Sequence, residues 1–285
     1  MEETTMKETE IRKAVRGRYA AIARKGGLCC GPADCCGTAE SAGLPEAAGR
    51  RIGYTDAQMR SVPEGANLGL GCGNPIAHAS IREGETVLDL GSGAGFDCFL
   101  AAQAAGPSGR VIGIDMTPDM VEKARANARK GGYRNVEFRL GEIENLPAAD
   151  GSADLVISNC VVNLSPDKRR VFSEAFRVLK PGGRLMVSDI VLLAELPAAM
   201  RESVAAYTGC IAGAAPKDDY LEAVASAGFR DVRVLDETAF GAESTDDPLA
   251  KAAAAAFSIG PDELTRLARS VVSIKVSAVK PAANS

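Results

Sequence analysis

Ile11, Val15, Tyr19 and Ile22 recur at helical spacing between Lys7 and Lys25, and Gly26-Gly27 closes the run. This spacing predicts one amphipathic helix near the start of the chain. The Gly/Ala-rich stretch that follows, to about Arg50, reads as loop. From Thr86 the pattern changes to short apolar runs separated by helical periods. "TVLDL", "RVIGID", "VEFRL", "ADLVISN" and "GRLMVSDIV" predict five strands. Between the second and third, Thr117 caps a helix with Pro118 at its first position and Gly131-Gly132 as its stop. Before the fifth, Ser165 is the expected cap of a second helix. Its core face is Val171, Phe172, Ala175, Phe176 and Leu179, and Pro181-Gly182 ends it. A helical stretch from Pro197 to Ala225, the strand "DVRVLDETAF", an Ala-rich helix around Leu249 to Phe257 and a last strand "VVSIKVSAVK" complete the chain.

Strands alternating with helices predict an α/β fold: a doubly wound, Rossmann-like parallel sheet with helices on both faces. The expected organisation is an N-terminal helix and cysteine-rich extension (1–60), a nucleotide-binding domain (61–192) and a C-terminal α+β segment (193–285). No internal repeat is present.

The 285 residues are 46% hydrophobic and 25% charged, an ordinary globular balance with a net charge of −4. No basic block suggests nucleic acid. No run approaches the roughly 18 apolar residues of a membrane span, and the polar start has no signal core. A cytoplasmic monomer, bound to neither membrane nor nucleic acid, is expected. The lone histidine, His78, is the one possible imidazole base, and a structural or surface role suits it better. Eight cysteines in a reducing compartment point to metal or thiol chemistry more than to a disulfide framework. Four of them, Cys29, Cys30, Cys35 and Cys36, stand in "GLCCGPADCCG". Adjacent pairs make poor zinc ligand pairs, while an exposed Gly/Pro-rich setting suits thiol exchange.

"DLGSGAGFD" places Gly91, Gly93 and Gly95 after the first strand, with Asp115 at the end of the second, 20 residues beyond Gly95. Such a loop lets a ligand approach the backbone, and the acid can accept from two ribose hydroxyls at the carboxyl ends of the strands. Position 96 is Phe, not the third glycine of the dinucleotide fingerprint, which argues against a dehydrogenase. The form D-x-G-x-G-x-G resembles the S-adenosylmethionine loop of class I methyltransferases. "GEIENLP", "SNCVVNL" and "LKPGG" fit the same resemblance. It implies cofactor-binding roles for Asp89, Gly91, Gly93, Gly95, Asp115 and Met116, for Glu142 and Ile143 near the adenine, and for Asn159 near the methionine end. Tyr54 is implied to lie near the cofactor as well.

Of the remaining cysteines, Cys98 sits among apolar residues and is expected to be buried and structural. Cys72, Cys160 and Cys210 lie in "GLGCGNP", "SNCVVNLSPDK" and "YTGCIAGA". Taken together, these segments resemble the arsenite S-adenosylmethionine methyltransferases. The resemblance covers about residues 29 to 225. It implies that Cys72, Cys160 and Cys210 bind trivalent arsenic as a trithiolate, supplied as arsenite or a thiol conjugate. As(III) is thiophilic, and its lone pair is a nucleophile with no proton to remove, which suits a chain with one histidine. Binding by thiolates is expected to depend on pH. The resemblance further implies thioredoxin or glutathione as reductant, with the four N-terminal cysteines as a redox or arsenic relay. Two other readings stay open: a methyltransferase for a small organic acceptor, and a non-catalytic arsenite- or metal-binding protein. The number of methyl groups transferred is open too.

Overall fold

The computed structural model describes residues 8–25, 44–201, 203–239 and 260–282. Seven strands form one sheet: β1 (Thr86–Leu90), β2 (Arg110–Asp115), β3 (Val136–Leu140), β4 (Ala153–Asn159), β5 (Leu179–Leu192), β6 (Arg230–Ala239) and β7 (Val271–Val279). Their order is β3-β2-β1-β4-β5-β7-β6. The first five run parallel, and β7 inserts antiparallel between β5 and β6.

Alternate residues of the central strands feed two cores, because successive side chains point to opposite faces. Leu88, Leu90, Ile112, Ile114 and Val156 join Phe172, Tyr220 and Phe229 on one face. Val87, Val111, Leu155 and Ile157 join Phe99, Ala101, Ala124 and Phe138 on the other. The first core is roofed by α6 (Lys168–Val178) and α9 (Lys217–Ser226), the second by α4 (Phe96–Ala105) and α5 (Pro118–Gly131). Burial on both faces explains why these strands read as continuous apolar runs.

The chain leaves β1 towards β2 and β3, then returns to place β4 on β1's other side. The switch point therefore lies between the carboxyl ends of β1 and β4, where open α/β sheets bind ligands. Helix α1 (Glu8–Lys25) crosses this end of the sheet. Ile11 and Val15 pack against β5 and β7 residues Ile190 and Val271, while Ile22 and Ala23 pack on Leu68, Ala94 and Met120.

Several expectations are corrected. The stretch to Arg50, read as loop, includes α2 (Leu44–Arg51), and α3 (Asp56–Ser61) follows with a capping box between Thr55 and Gln58. Asp167, not Ser165, caps α6: its carboxylate accepts from Arg170 N, whereas the Ser165 hydroxyl donates to Glu144 at 2.7 Å. That helix stops at Val178, ahead of Pro181. The Pro197–Ala225 stretch is three helices, α7 (Ala198–Arg201), α8 (Val204–Thr208) and α9. A helix not foreseen, α10 (Pro261–Ser270), precedes β7. The Ala-rich segment around Leu249 to Phe257 and the four N-terminal cysteines lie outside the described residues. No described helix is long and apolar enough to cross a membrane.

Candidate active site

At the end of β1 the backbone N–H groups of Gly91 and Ser92 both donate to Ile114 O, at 2.7 and 3.0 Å, which ties the loop to the end of β2. Asp115 fastens the far side: its carboxylate accepts from Gly93 N at 3.0 Å and from Thr117 N at 2.8 Å. Gly93 has φ +53°, and a Cβ built there would have no neighbour within 4 Å. Glycine at this point keeps an open cradle over the loop backbone rather than relieving a clash. The residues therefore fit a ligand laid along the loop.

Two buried carboxylates, Asp89 and Asp97, and the half-buried Asp115 stand round this cradle. Burial raises all three pKa values above the ordinary aspartate range; repulsion from Asp97 lifts Asp89 further, and Asp97 itself rises to about 6. Asp89 accepts from the Cys98 thiol at 3.1 Å, which explains the buried position of that cysteine. Asp97 accepts from Tyr54 Oη at 2.5 Å and from Asn159 Nδ2 at 3.1 Å.

Asn159, the last residue of β4, is a junction. Its Nδ2 reaches Tyr54 Oη, Gly73 O and Asp97, while its Oδ1 accepts from Cys72 N at 3.0 Å. The segment around Cys72 needs glycine on both sides to come this close. A Cβ on Gly71, at φ +109°, would stand 2.8 Å from the Asn159 amide, and one on Gly73 would stand 2.0 Å from Ser188 Oγ.

Beyond Asn159 the thiols converge. Cys160 N still donates to Ser188 O at 2.7 Å, and the chain then turns with Cys160 at φ +59°. Cys210, after α8, sits at φ +66°. Left-handed backbone at a residue other than glycine is uncommon and concentrates at functional sites. The Cys210 Sγ lies 3.2 Å from Cys160 O and 3.9 Å from Tyr19 Oη. Cys72 Sγ, Cys160 Sγ and a carboxylate oxygen of Asp189 all lie within 4.8 Å of one another. The three cysteines share one buried apolar cluster with Ile11, Val15, Leu164, Ile190 and Leu196. The thiols of Cys210 and Cys72, and then burial, push the Cys160 thiol well above its ordinary range. Asp189 is pushed up to about 7 by burial, opposed by hydrogen bonds from Ile190 N, Asn163 and Tyr220 and by the charge of Lys168.

The structure thus brings Cys72, Cys160 and Cys210 together, and sets Asn159 between them and the glycine loop. Met116 packs against the same apolar cluster. Ile143 is in the core, and Glu142 faces α1, with Arg16 at 3.4 Å and Arg12 at 3.8 Å. His78 is exposed. Asp97 and Asp189 carry signals that sequence reasoning missed: each is an acid in an otherwise apolar run of a buried element, which globular chains rarely tolerate without a role.

The family model "Methyltransferase domain" matches residues 81–228. A solved arsenic(III) S-adenosylmethionine methyltransferase from Chlamydomonas reinhardtii superposes with a TM-score of 0.59 at 35% identity, over 84% of this chain and 73% of that one. The chain belongs to the arsenite methyltransferase family. The arsenite methyltransferase of Halobacterium salinarum is 52% identical over 229 residues, 79% of this chain and 59% of the relative. The human arsenite methyltransferase is 45% identical over 137 residues, 45% of this chain and 36% of the relative. The chain spans about half the length of the curated relatives it matches. S-adenosylmethionine is the methyl donor of this family.

Proposed function

We propose that this protein is an S-adenosylmethionine-dependent arsenite methyltransferase that holds trivalent arsenic on Cys72, Cys160 and Cys210. One observation carries the reading: thiols 88 and 50 residues apart in sequence meet in one buried cluster, next to the glycine cradle. Arsenite enters as a neutral hydroxide or a thiol conjugate. Each As–S bond that forms replaces an As–O or As–S bond, and the proton of the cysteine thiol leaves with the displaced water or thiol. Three sulfurs then fill arsenic's bonds and leave one lone pair.

S-adenosylmethionine supplies a methyl group on a sulfonium sulfur that keeps the bonding pair when it leaves. Asp115 and the loop backbone hold the nucleoside end, and Asn159 fixes Cys72 relative to that end. Ile11, Val15 and Leu196 keep water away from the thiols. Holding arsenic in line with the methyl group is the main catalytic task, and orientation of this kind supplies roughly 7–11 kcal/mol. Transfer leaves arsenic formally oxidised by two electrons. A dithiol such as thioredoxin, or two glutathione molecules, returns them and becomes a disulfide. Cys29, Cys30, Cys35 and Cys36 would relay arsenic or electrons to the cluster. The expected role is arsenic detoxification by a cytoplasmic monomer.

Purified protein incubated with methyl-labelled S-adenosylmethionine, arsenite and excess thiol tests the reading. Labelled methylarsenicals are expected, and their number of methyl groups defines the product. Cofactor binding without labelled arsenic would overturn the proposal in favour of an organic acceptor.

A further inference from the structure

Asp97 is the second residue of α4 and is buried, at 7% exposure. Its two hydrogen-bond donors, the Tyr54 hydroxyl and the Asn159 amide, are both neutral. Asp89 and Asp115 stand close enough to repel one another, and Asp89 feels Asp97 as well. Among the described residues, the groups that set the pKa of these three acids include no lysine or arginine. Buried carboxylates of one sign, without a basic partner, are costly unless a ligand brings the opposite charge.

The three acids are not equivalent. Asp115 spends its oxygens on the backbone of the cradle and the α5 cap. Asp89 is occupied by the Cys98 thiol. Asp97 stands at the acceptor end of the crevice, one side chain removed from Cys72 through Asn159. A ligand with its ribose at Asp115 and its methyl group towards the thiols has its amino-acid portion at this end. That portion of S-adenosylmethionine carries a primary ammonium.

We propose that Asp97 receives the α-ammonium of S-adenosylmethionine, with Tyr54 and Asn159 fixing the orientation of its carboxylate. The assignment rests on the cofactor and is independent of what accepts the methyl group. The opposite charge relieves the burial that lifts the acid's pKa in the free protein. A charge-assisted hydrogen bond of this kind contributes about 10- to 100-fold in affinity.

The test compares binding of S-adenosylhomocysteine with that of its deaminated analogue, in which the α-amino group is replaced by hydrogen, by titration calorimetry. The wild-type protein is expected to prefer the amine about 10- to 100-fold, and Asp97→Asn to lose that preference while binding the deaminated analogue unchanged. Tyr54→Phe, which keeps the charge, retains most of it. Thermal melting verifies that each variant is folded, and Asp97→Ser replaces Asp97→Asn if the latter is not. The proposal is overturned if the wild type does not discriminate, or if both Asp97 variants still do. Failure of the wild type to bind S-adenosylhomocysteine at all would instead count against the cofactor assignment.

Discussion

The two halves of the crevice are built in opposite ways. The glycine-loop half, the proposed cofactor side, comes from a contiguous stretch: β1, the loop from Gly91 to Gly95 and the first turn of α4, closed by Asp115. The thiol half draws Cys72, Cys160 and Cys210 from three connections, two of them in left-handed backbone, under a helix from the start of the chain. A contiguous site is fixed by local turn chemistry and tolerates change elsewhere. A dispersed one depends on the whole sheet being assembled, and its thiols are expected to be separable by mutation from the glycine loop even though Asn159 touches both halves.

The sharpest separation is expected from Cys160→Ser. Loss of the central thiol should abolish arsenite binding and methyl transfer, while S-adenosylhomocysteine binds with wild-type affinity. Tryptic protection and calorimetry on the same sample read both. Parallel loss of cofactor affinity would mean that the halves are one unit.

Gly93→Ala probes the other half. The added methyl enters open space, and the φ of +53° costs the fold about 1–2 kcal/mol. Cofactor affinity should fall by tenfold or more, because the methyl occupies the cradle, and arsenite binding should persist. An unchanged affinity for S-adenosylhomocysteine would remove the loop from the cofactor site.

The sequence revealed these halves unequally, for physical reasons. The glycine-rich turn and five parallel strands are legible because strand, turn and helix follow one another within a few residues, each with its own apolar period or glycine. The helices α2 and α10 differ in how far the sequence signals them. Alanine and glycine blur the period in Leu44–Arg51, whereas Gly260-Pro261 followed by Asp262 and Glu263 does signal a helix start. In the Pro197–Ala225 stretch Gly209 and Pro216 mark the break between α8 and α9, whereas neither glycine nor proline marks the break between α7 and α8. The meeting of the thiols could not be derived from spacing, since it depends on β4 lying beside β5 and on two left-handed turns. The resemblance of the three cysteine segments, with Cys160 directly after a strand end, points to it. The apolar run around Asp97 signals a buried acid, but its partners, Tyr54 and Asn159, are 43 and 62 residues away and no local pattern names them.

A pH series sharpens the comparison from the thiol side. Asp189 has a folded-state pKa of about 7 against an ordinary 3.8. Between those values the folded chain keeps a proton that the unfolded chain releases. Its contribution is therefore fully present below about pH 4 and is lost as pH rises through 7. Relative to Asp189→Asn, the wild type should lose on the order of 2–3 kcal/mol of stability between pH 5 and pH 8. Urea unfolding at both pH values measures it. A pH-independent difference would mean that Asp189 is ionised throughout.

Helix α1 links the two halves and supplies the smallest effects. Its N-terminal part places Val15, 1% exposed, on the thiol cluster. Its C-terminal end makes the Arg24–Asp119 ion pair at 2.7 Å, with Arg24 61% exposed. Apolar burial and a solvated charge pair contribute differently. Val15→Ala should cost about 1.5 kcal/mol, and Arg24→Ala less than about 1 kcal/mol. The thiols add a local readout. With α1 loosened over them, Val15→Ala should speed labelling of Cys160 by a small disulfide reagent several-fold, whereas Arg24→Ala should leave the rate near that of the wild type. If Val15→Ala destabilises the chain but labelling does not change, α1 is not the cover through which reagents, and by extension arsenite, reach the thiols.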